Sequence, residues 1–208
     1  MAQFIAEDVL QRLNVSRESL ARLDTYVRLL LAWQAKINLI GPSTVEDVWK
    51  RHVLDALQLL PLMDPNTKTI ADLGSGAGIP GLILAIAGGY ETYLYESNGK
   101  KVAFLREAIR QTKANARVYQ VRLEALEENL PPNFPQYVTA RALAPLDKLI
   151  PWALPLLHRG AIGLFHKGQD VDIELDRATK SWKIGAIKHA SITDSNGTIL
   201  EVKEIANV

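Results

Sequence analysis

Between Thr69 and Gly81 the sequence TIADLGSGAGIPG leaves few folds open to this chain. Thr69-Ile70-Ala71-Asp72-Leu73 is apolar and β-branched up to an acid. Gly74, Gly76 and Gly78 then alternate with small residues, and an apolar run resumes from Leu82 to Ala87, which reads as strand, tight turn, helix. Alternate glycines let a backbone turn sharply and approach a ligand without Cβ clashes, and Pro80 suits a first helical turn, where its missing N–H is no loss. Such a unit is a cradle for a nucleotide-containing cofactor.

Two cofactors fit the pattern. Gly76-x-Gly78-x-x-Gly81 matches the dinucleotide fingerprint, and Glu96 follows about 20 residues later, at the end of the next apparent strand, where a ribose-binding acid belongs. The same stretch also reads acid-x-Gly-x-Gly-x-Gly from Asp72 through Gly78, which resembles the motif of the Rossmann-like methyltransferases. Their cofactor, S-adenosylmethionine, has no pyrophosphate. Asp72 tips the preference, because a carboxylate there repels a pyrophosphate and suits the ammonium group of a methionine moiety. On either reading Glu96 is expected to accept the two ribose hydroxyls.

With 208 residues, 48% of them hydrophobic, the chain can bury a sizeable core in one large domain or one domain with an appendage. No cysteine is present, which removes disulfides, thiolate zinc sites, iron–sulfur clusters and any cysteine nucleophile. No metal site is expected. The longest apolar runs are far short of a membrane span, and the first residues lack a secretory signature, so a cytoplasmic protein is expected, as a monomer and without a membrane partner. A formal net charge of +1 means that any nucleic acid must be held by a local patch.

Residues 1–63 read as a helical extension or cap. Phe4, Val9, Leu10 and Leu13 form one short stripe, and Leu20, Leu23, Val27, Leu30, Leu31 and Gln34 a longer one. Asn38 to Ser43 is a connector, with Ser43 or Thr44 as N-cap of a helix carrying Trp49, Arg51, His52 and Asp55. His52 and Asp55 share a helical face, read as a hydrogen-bonded pair that locks the cap to the core.

The turn cluster Asp64 to Lys68 opens an α/β domain over residues 64–208. Strands are expected at 69–73, 92–96, 117–121, 136–142 and 160–166, and helices at 81–88, 100–114 and 146–157, the last interrupted by prolines. Alternating strands and helices imply a mostly parallel sheet with ligands at the carboxyl ends of its strands. Two further strands, 183–192 and 198–205, joined through Asp194-Ser195-Asn196-Gly197, read as a terminal antiparallel hairpin.

Candidate site residues fall at the strand ends. Leu123 and Glu124 follow the third strand, where an adenine ring would pack on Leu123 and Glu124 could read its polar edge. Arg141 ends the fourth strand, placed to hold a carboxylate or phosphate bidentately, and Lys167 ends the fifth, placed for a phosphate. Arg106, Arg110, Lys113 and Arg117 make a basic stripe on the helix after Glu96, a candidate for phosphate contacts with RNA.

Taken together, Asn38-Leu39, Arg51-His52-x-x-Asp55, the Asp72 to Gly81 motif, Glu96-Ser97-x-x-Lys100-Lys101-x-x-Phe104-Leu105, Arg122-x-Glu124, Arg141-Ala142 and Lys167-Gly168 resemble the RsmG (GidB) family. The match runs in order from about residue 36 to 168. The resemblance implies a Rossmann-like S-adenosylmethionine-dependent methyltransferase fold that methylates N7 of a guanine in 16S ribosomal RNA. It implies S-adenosylmethionine as cofactor, and 16S ribosomal RNA or the small ribosomal subunit as partner. It also implies Gly74, Ile79, Leu123, Glu124 and Arg141 as cofactor contacts, beside Asp72, Gly76, Gly78 and Glu96 of the cradle. The chemistry agrees: guanine N7 carries a free lone pair, so transfer demands positioning but no obligatory general base. No catalytic residue is assigned, and Arg141 and Lys167 stand as positioning candidates.

Overall fold

The computed structural model describes residue 13 and residues 15–208. The stripe expected at Phe4, Val9 and Leu10 lies outside them. The helix α1 (Arg17–Gln34) starts at Ser16, whose Oγ accepts from the Ser19 amide at 3.0 Å. A connector follows in which Gln34 stitches the chain, its Oε1 accepting from the amides of Leu39 and Ile40. A π-helical turn, Trp49–Leu54, runs on into the short α2 (Asp55–Leu57). Thr44 does not cap it: residues Pro42–Thr44 are a 3-10 turn, and the Thr44 hydroxyl donates to Gly41 O.

From Thr69 the chain alternates as expected. β1 (Thr69–Leu73), α3 (Gly81–Gly88), β2 (Glu91–Tyr95), α4 (Gly99–Thr112), β3 (Ala116–Tyr119), β4 (Tyr137–Arg141), α5 (Leu146–Leu157) and β5 (Ile162–Lys167) build the parallel part of one sheet. A helix that the sequence reading lacks, α6 (Val171–Ala178), precedes the antiparallel pair β6 (Trp182–Ala190) and β7 (Thr198–Asn207). The sheet order is β3-β2-β1-β4-β5-β7-β6. The order reverses beside β1, so the crevice between the carboxyl ends of β1 and β4 is where a doubly wound sheet binds its ligand.

Proline was expected to interrupt α5, yet the helix runs through both Pro151 and Pro155. Each proline inside a helix costs about 3 kcal/mol. Against that, Leu146, Leu149, Ile150, Ala153, Leu156 and Leu157 are all buried, at about 1.5–3 kcal/mol for each large side chain. Burial wins. All five residues of β1 are buried, because helices cover the sheet on both faces. On one face Leu23, Tyr26, Val27 and Leu30 of α1 share a core with Leu82 and Ile83 of α3 and Phe104 and Leu105 of α4. On the other, α5 and α6 pack on β4, β5 and β7. No described helix is long and apolar enough to cross a membrane.

Candidate functional site

The turn after β1 has three glycines in the left-handed region, Gly74 at φ 65°, Gly76 at 56° and Gly78 at 84°. Their roles differ. A Cβ on Gly78 would come within 2.7 Å of Leu82 Cβ and 3.0 Å of Leu105, so that glycine lets the loop close on the helix layer. A Cβ on Gly76 would meet nothing nearer than Gly74 O at 3.8 Å, so this side of the loop faces open space.

That space is a groove of about 310 Å³. One wall is Leu39, Ile40, Gly41, Thr44 and His52; the other is Gly74, Ser75, Gly76, Ala77 and Ile79; Lys101, Arg141 and Ala142 complete the lining. Of the residues expected to meet a cofactor, Gly74, Gly76, Ile79 and Arg141 come together here. Leu123 and Glu124 do not: they sit on a 3-10 turn after β3, two strands away, with Leu123 half-buried in the second core and Glu124 exposed.

The loop amides turn inward. Ser75 N–H donates to Tyr95 O (2.9 Å), Gly76 N–H to Glu96 Oε2 (2.8 Å), and Gly78 N–H to Ser75 O (2.6 Å). Dinucleotide binding needs such amides aimed at a pyrophosphate, so the rival reading of the glycine motif loses its basis. Glu96 is buried, and its other oxygen accepts from Asn98 N–H at 2.7 Å. It thereby ties the loop to the end of β2 and the start of α4, with acceptor capacity to spare, since a carboxylate offers about four lone-pair sites.

Asp72 corrects the argument made from sequence. Its carboxylate does not reach the groove but is fully buried beneath the loop. Oδ1 accepts from the Thr139 hydroxyl at 2.7 Å, while Oδ2 has no hydrogen-bond partner and lies against Gly81, where a Cβ would come within 2.8 Å of it. Burial pushes its pKa up to about 6 despite the Thr139 bond.

Arg141 likewise is already engaged. Its Nε meets Asp55 Oδ2 at 3.1 Å, Nη1 donates to His52 Nδ1 at 2.9 Å, and Nη2 donates to Arg51 O at 2.9 Å. The expected fork for a ligand carboxylate or phosphate is therefore spent within the fold. Asp55 also accepts from the Thr193 hydroxyl and from Gln58 Nε2. The lock between cap and core read from His52 and Asp55 is present, with Arg141 as its third member. Because Arg141 donates to Nδ1, His52 is the Nε2–H tautomer, donating to Thr44 Oγ1 at 2.7 Å. Burial first, and Arg141 second, lower the His52 pKa to about 4, so the ring is neutral.

Lys167 is not a free phosphate ligand either. It pairs with Glu174 at 2.6 Å and donates to Ala144 O at 2.8 Å. Glu174 lies on α6 and also accepts from Leu146 N–H, so Lys167 anchors the start of α5. A second cavity, of about 210 Å³, opens on the far side of Arg141 between the ends of β4 and β5 and the β6–β7 turn; Lys167 and the buried His166 line it.

Sequence reasoning missed Tyr26, whose hydroxyl donates to Ala77 O at 2.8 Å, and Thr139 as the partner of Asp72. Tyr26 sits one place before Val27 on the apolar stripe, and nothing in its type separates it from core. Among the described residues no cluster of histidines and carboxylates is placed to hold a metal ion.

Residues 19–202 match the family model described as GidB, rRNA small subunit methyltransferase G. The chain is 46% identical over 200 residues to the ribosomal RNA small subunit methyltransferase G of Paramagnetospirillum magneticum, covering 96% of each. It is 52% identical over 194 residues to the protein of the same description from Rhodopseudomonas palustris, covering 90% of this chain and 81% of that one. In fold it is similar to an O-methyltransferase from Bacillus cereus solved in complex with SAH, with a TM-score of 0.58 at 14% identity, over 88% of this chain and 91% of that one.

Proposed function

The chain belongs to the GidB family, rRNA small subunit methyltransferase G, and from that premise we propose that it methylates N7 of a guanine in 16S ribosomal RNA. When bound, S-adenosylmethionine supplies an electrophilic methyl group on a sulfonium. The groove fits such a group: the open side of Gly76 admits a ligand against the backbone, Ile79 with Leu39 and Ile40 gives apolar walls, and Glu96 stands beneath the loop with free lone pairs. Gly74, Gly76, Ile79 and Glu96 are the residues we assign to holding it. Gly78 and Asp72 act from below by fixing the loop, and Leu123 and Glu124 by bounding the same edge of the sheet.

One observation carries the choice of acceptor atom. The groove offers no proton acceptor: both nitrogens of His52 are hydrogen-bonded, and no carboxylate lines it. An exocyclic amine must lose a proton during transfer, and a cytosine C5 needs a thiolate the chain does not have. A guanine N7 lone pair needs neither, only alignment. Arg141, which lines both the groove and the second cavity, and Lys167, which lines the second, then serve as positioning residues. We assign residues 1–63 to the cap, of which Leu39, Ile40, Gly41, Thr44 and His52 supply the first groove wall, and residues 64–208 to the methyltransferase domain.

The test is transfer of isotopically labelled methyl groups to small-subunit RNA, followed by reduction and aniline cleavage, which cut the chain at 7-methylguanosine. Label at one guanine, with cleavage there, is expected. Label in an uncleaved position, or in ribosomal protein, would overturn the assignment.

A further inference from the structure

Beyond Lys101 the cofactor groove does not end. Lys101 also lines a second hollow of about 340 Å³, with Lys36, Ile37 and Lys100. These last three in turn line a third, of about 420 Å³, floored by Leu29 and Trp33. The three form one trough, and no acidic side chain lines any of them.

The charge along this trough is free. Lys36, Lys100 and Lys101 form no ion pair with any described residue, whereas in the outer stripe Arg110 is bonded twice to Glu107, at 2.8 and 2.6 Å, and Arg117 pairs with Glu91 at 3.7 Å. Lys100 and Lys101 moreover occupy the first turn of α4. A helix N-terminus favours anions, so two ammonium groups there run against the local preference.

We propose that this lysine-lined trough docks the RNA strand flanking the acceptor nucleotide, with phosphates on Lys36 and Lys100 and an unstacked base on the apolar floor of Leu29, Trp33 and Ile37. The proposal rests on the methyl-transfer reading above. Free cations beside an aromatic, apolar surface are the composition of a single-strand platform, where the charges follow the backbone and the floor takes a base face. Continuity through Lys101 delivers that strand to the mouth of the cofactor groove. The stripe through Arg106 and Arg110, by contrast, is partly neutralised.

The test compares wild type, Lys36→Ala/Lys100→Ala and Arg106→Ala/Arg110→Ala in methyl transfer to 16S ribosomal RNA, from about 50 to about 200 mM salt. Each phosphate contact to a single strand contributes about 0.7 to the slope of log affinity against log salt, so the lysine variant should lose about 1.4 of slope. Its KM for RNA should rise roughly 10- to 30-fold at about 0.1 M salt, with kcat and S-adenosylmethionine affinity unchanged. An unchanged KM and slope overturns the proposal, as does a loss confined to the arginine variant or a fall in kcat alone. Should wild type transfer no methyl to RNA, the functional reading fails. The trough is then judged by binding of a single-stranded RNA oligonucleotide, which the lysine variant must weaken by the same factor.

Discussion

Asp72→Asn isolates the cost of a charge buried under the glycine loop. The carboxyl is fully buried and burial raises its pKa from 3.8 to about 6. Between those values the folded state holds a proton that the unfolded chain has released, so stability falls as pH rises from about 4 to about 6 and stays lowered above that. At 1.36 kcal/mol per pH unit, the ionised carboxylate costs the fold about 3 kcal/mol at pH 7 relative to its protonated form. His52 works in the opposite direction. Its pKa is lowered to about 4, so the unfolded state binds the extra proton and stability rises with pH up to about 6.5. In wild type the contributions of these two groups oppose each other between about pH 4 and about pH 6. Asparagine keeps the volume and can keep the acceptor for Thr139, but it cannot ionise. Urea unfolding of both proteins at about pH 4.5 and about pH 7.5 reads the difference, in which His52 cancels. The variant should gain about 2 kcal/mol on wild type between the two pH values, 1.36 kcal/mol for each unit from about pH 4.5 to about pH 6, and the cost of its unpaired amide N–H, the same at both, cancels. Parallel pH profiles for the two proteins would refute the reasoning, because the carboxylate would then carry no burial penalty.

Glu96→Gln removes the charge that ties Gly76 to Asn98, and S-adenosylmethionine affinity by titration calorimetry should fall by about 1.5–3 kcal/mol, roughly 10- to 100-fold. Gly76→Ala and Gly78→Ala should separate binding from folding. The first places a methyl group in the open groove and weakens cofactor binding at about 1–2 kcal/mol of left-handed strain; the second drives its Cβ into Leu82 and should lower stability by about 2–5 kcal/mol in urea. Asp55→Ala strands the Arg141 guanidinium and should cost about 3 kcal/mol of stability, of which Asp55→Ala/Arg141→Met recovers the part due to the stranded charge but not the bonds lost by Thr193, Gln58 and His52. A double variant no better than the single one would show that the pair does not act as a unit.

The local elements were legible where one signal dominated. Residues 69–73 and 81–88 are strand and helix as read, because glycines punctuate a continuous apolar run. The helix Val171–Ala178 escaped because only its two end residues are buried and Ile173 is about half exposed, so its apolar spacing points at no single face. That omission hid the role of Lys167, whose partner Glu174 lies on it. At the site, residue types and order were readable while directions were not. Asp72 and Glu96 both end strands next to the loop, yet one is sealed below it and the other bonded to it, a difference set by Thr139 and Gly81 packing from elsewhere. Arg141 looked free because its partner Asp55 is far away in sequence, and Thr193, which also bonds Asp55, lies 138 positions from it.

The hydrogen bond from Tyr26 to Ala77 O spans 51 positions and joins the first described helix to the loop that carries the open face of Gly76. Linkage makes such a tether reciprocal: a molecule that stills the loop must also still the helix, and slackening the helix must loosen the grip on that molecule. Occupancy of the groove is thus written into the early part of the chain, where amide hydrogen exchange along residues 19–30 can be used to read it from a distance.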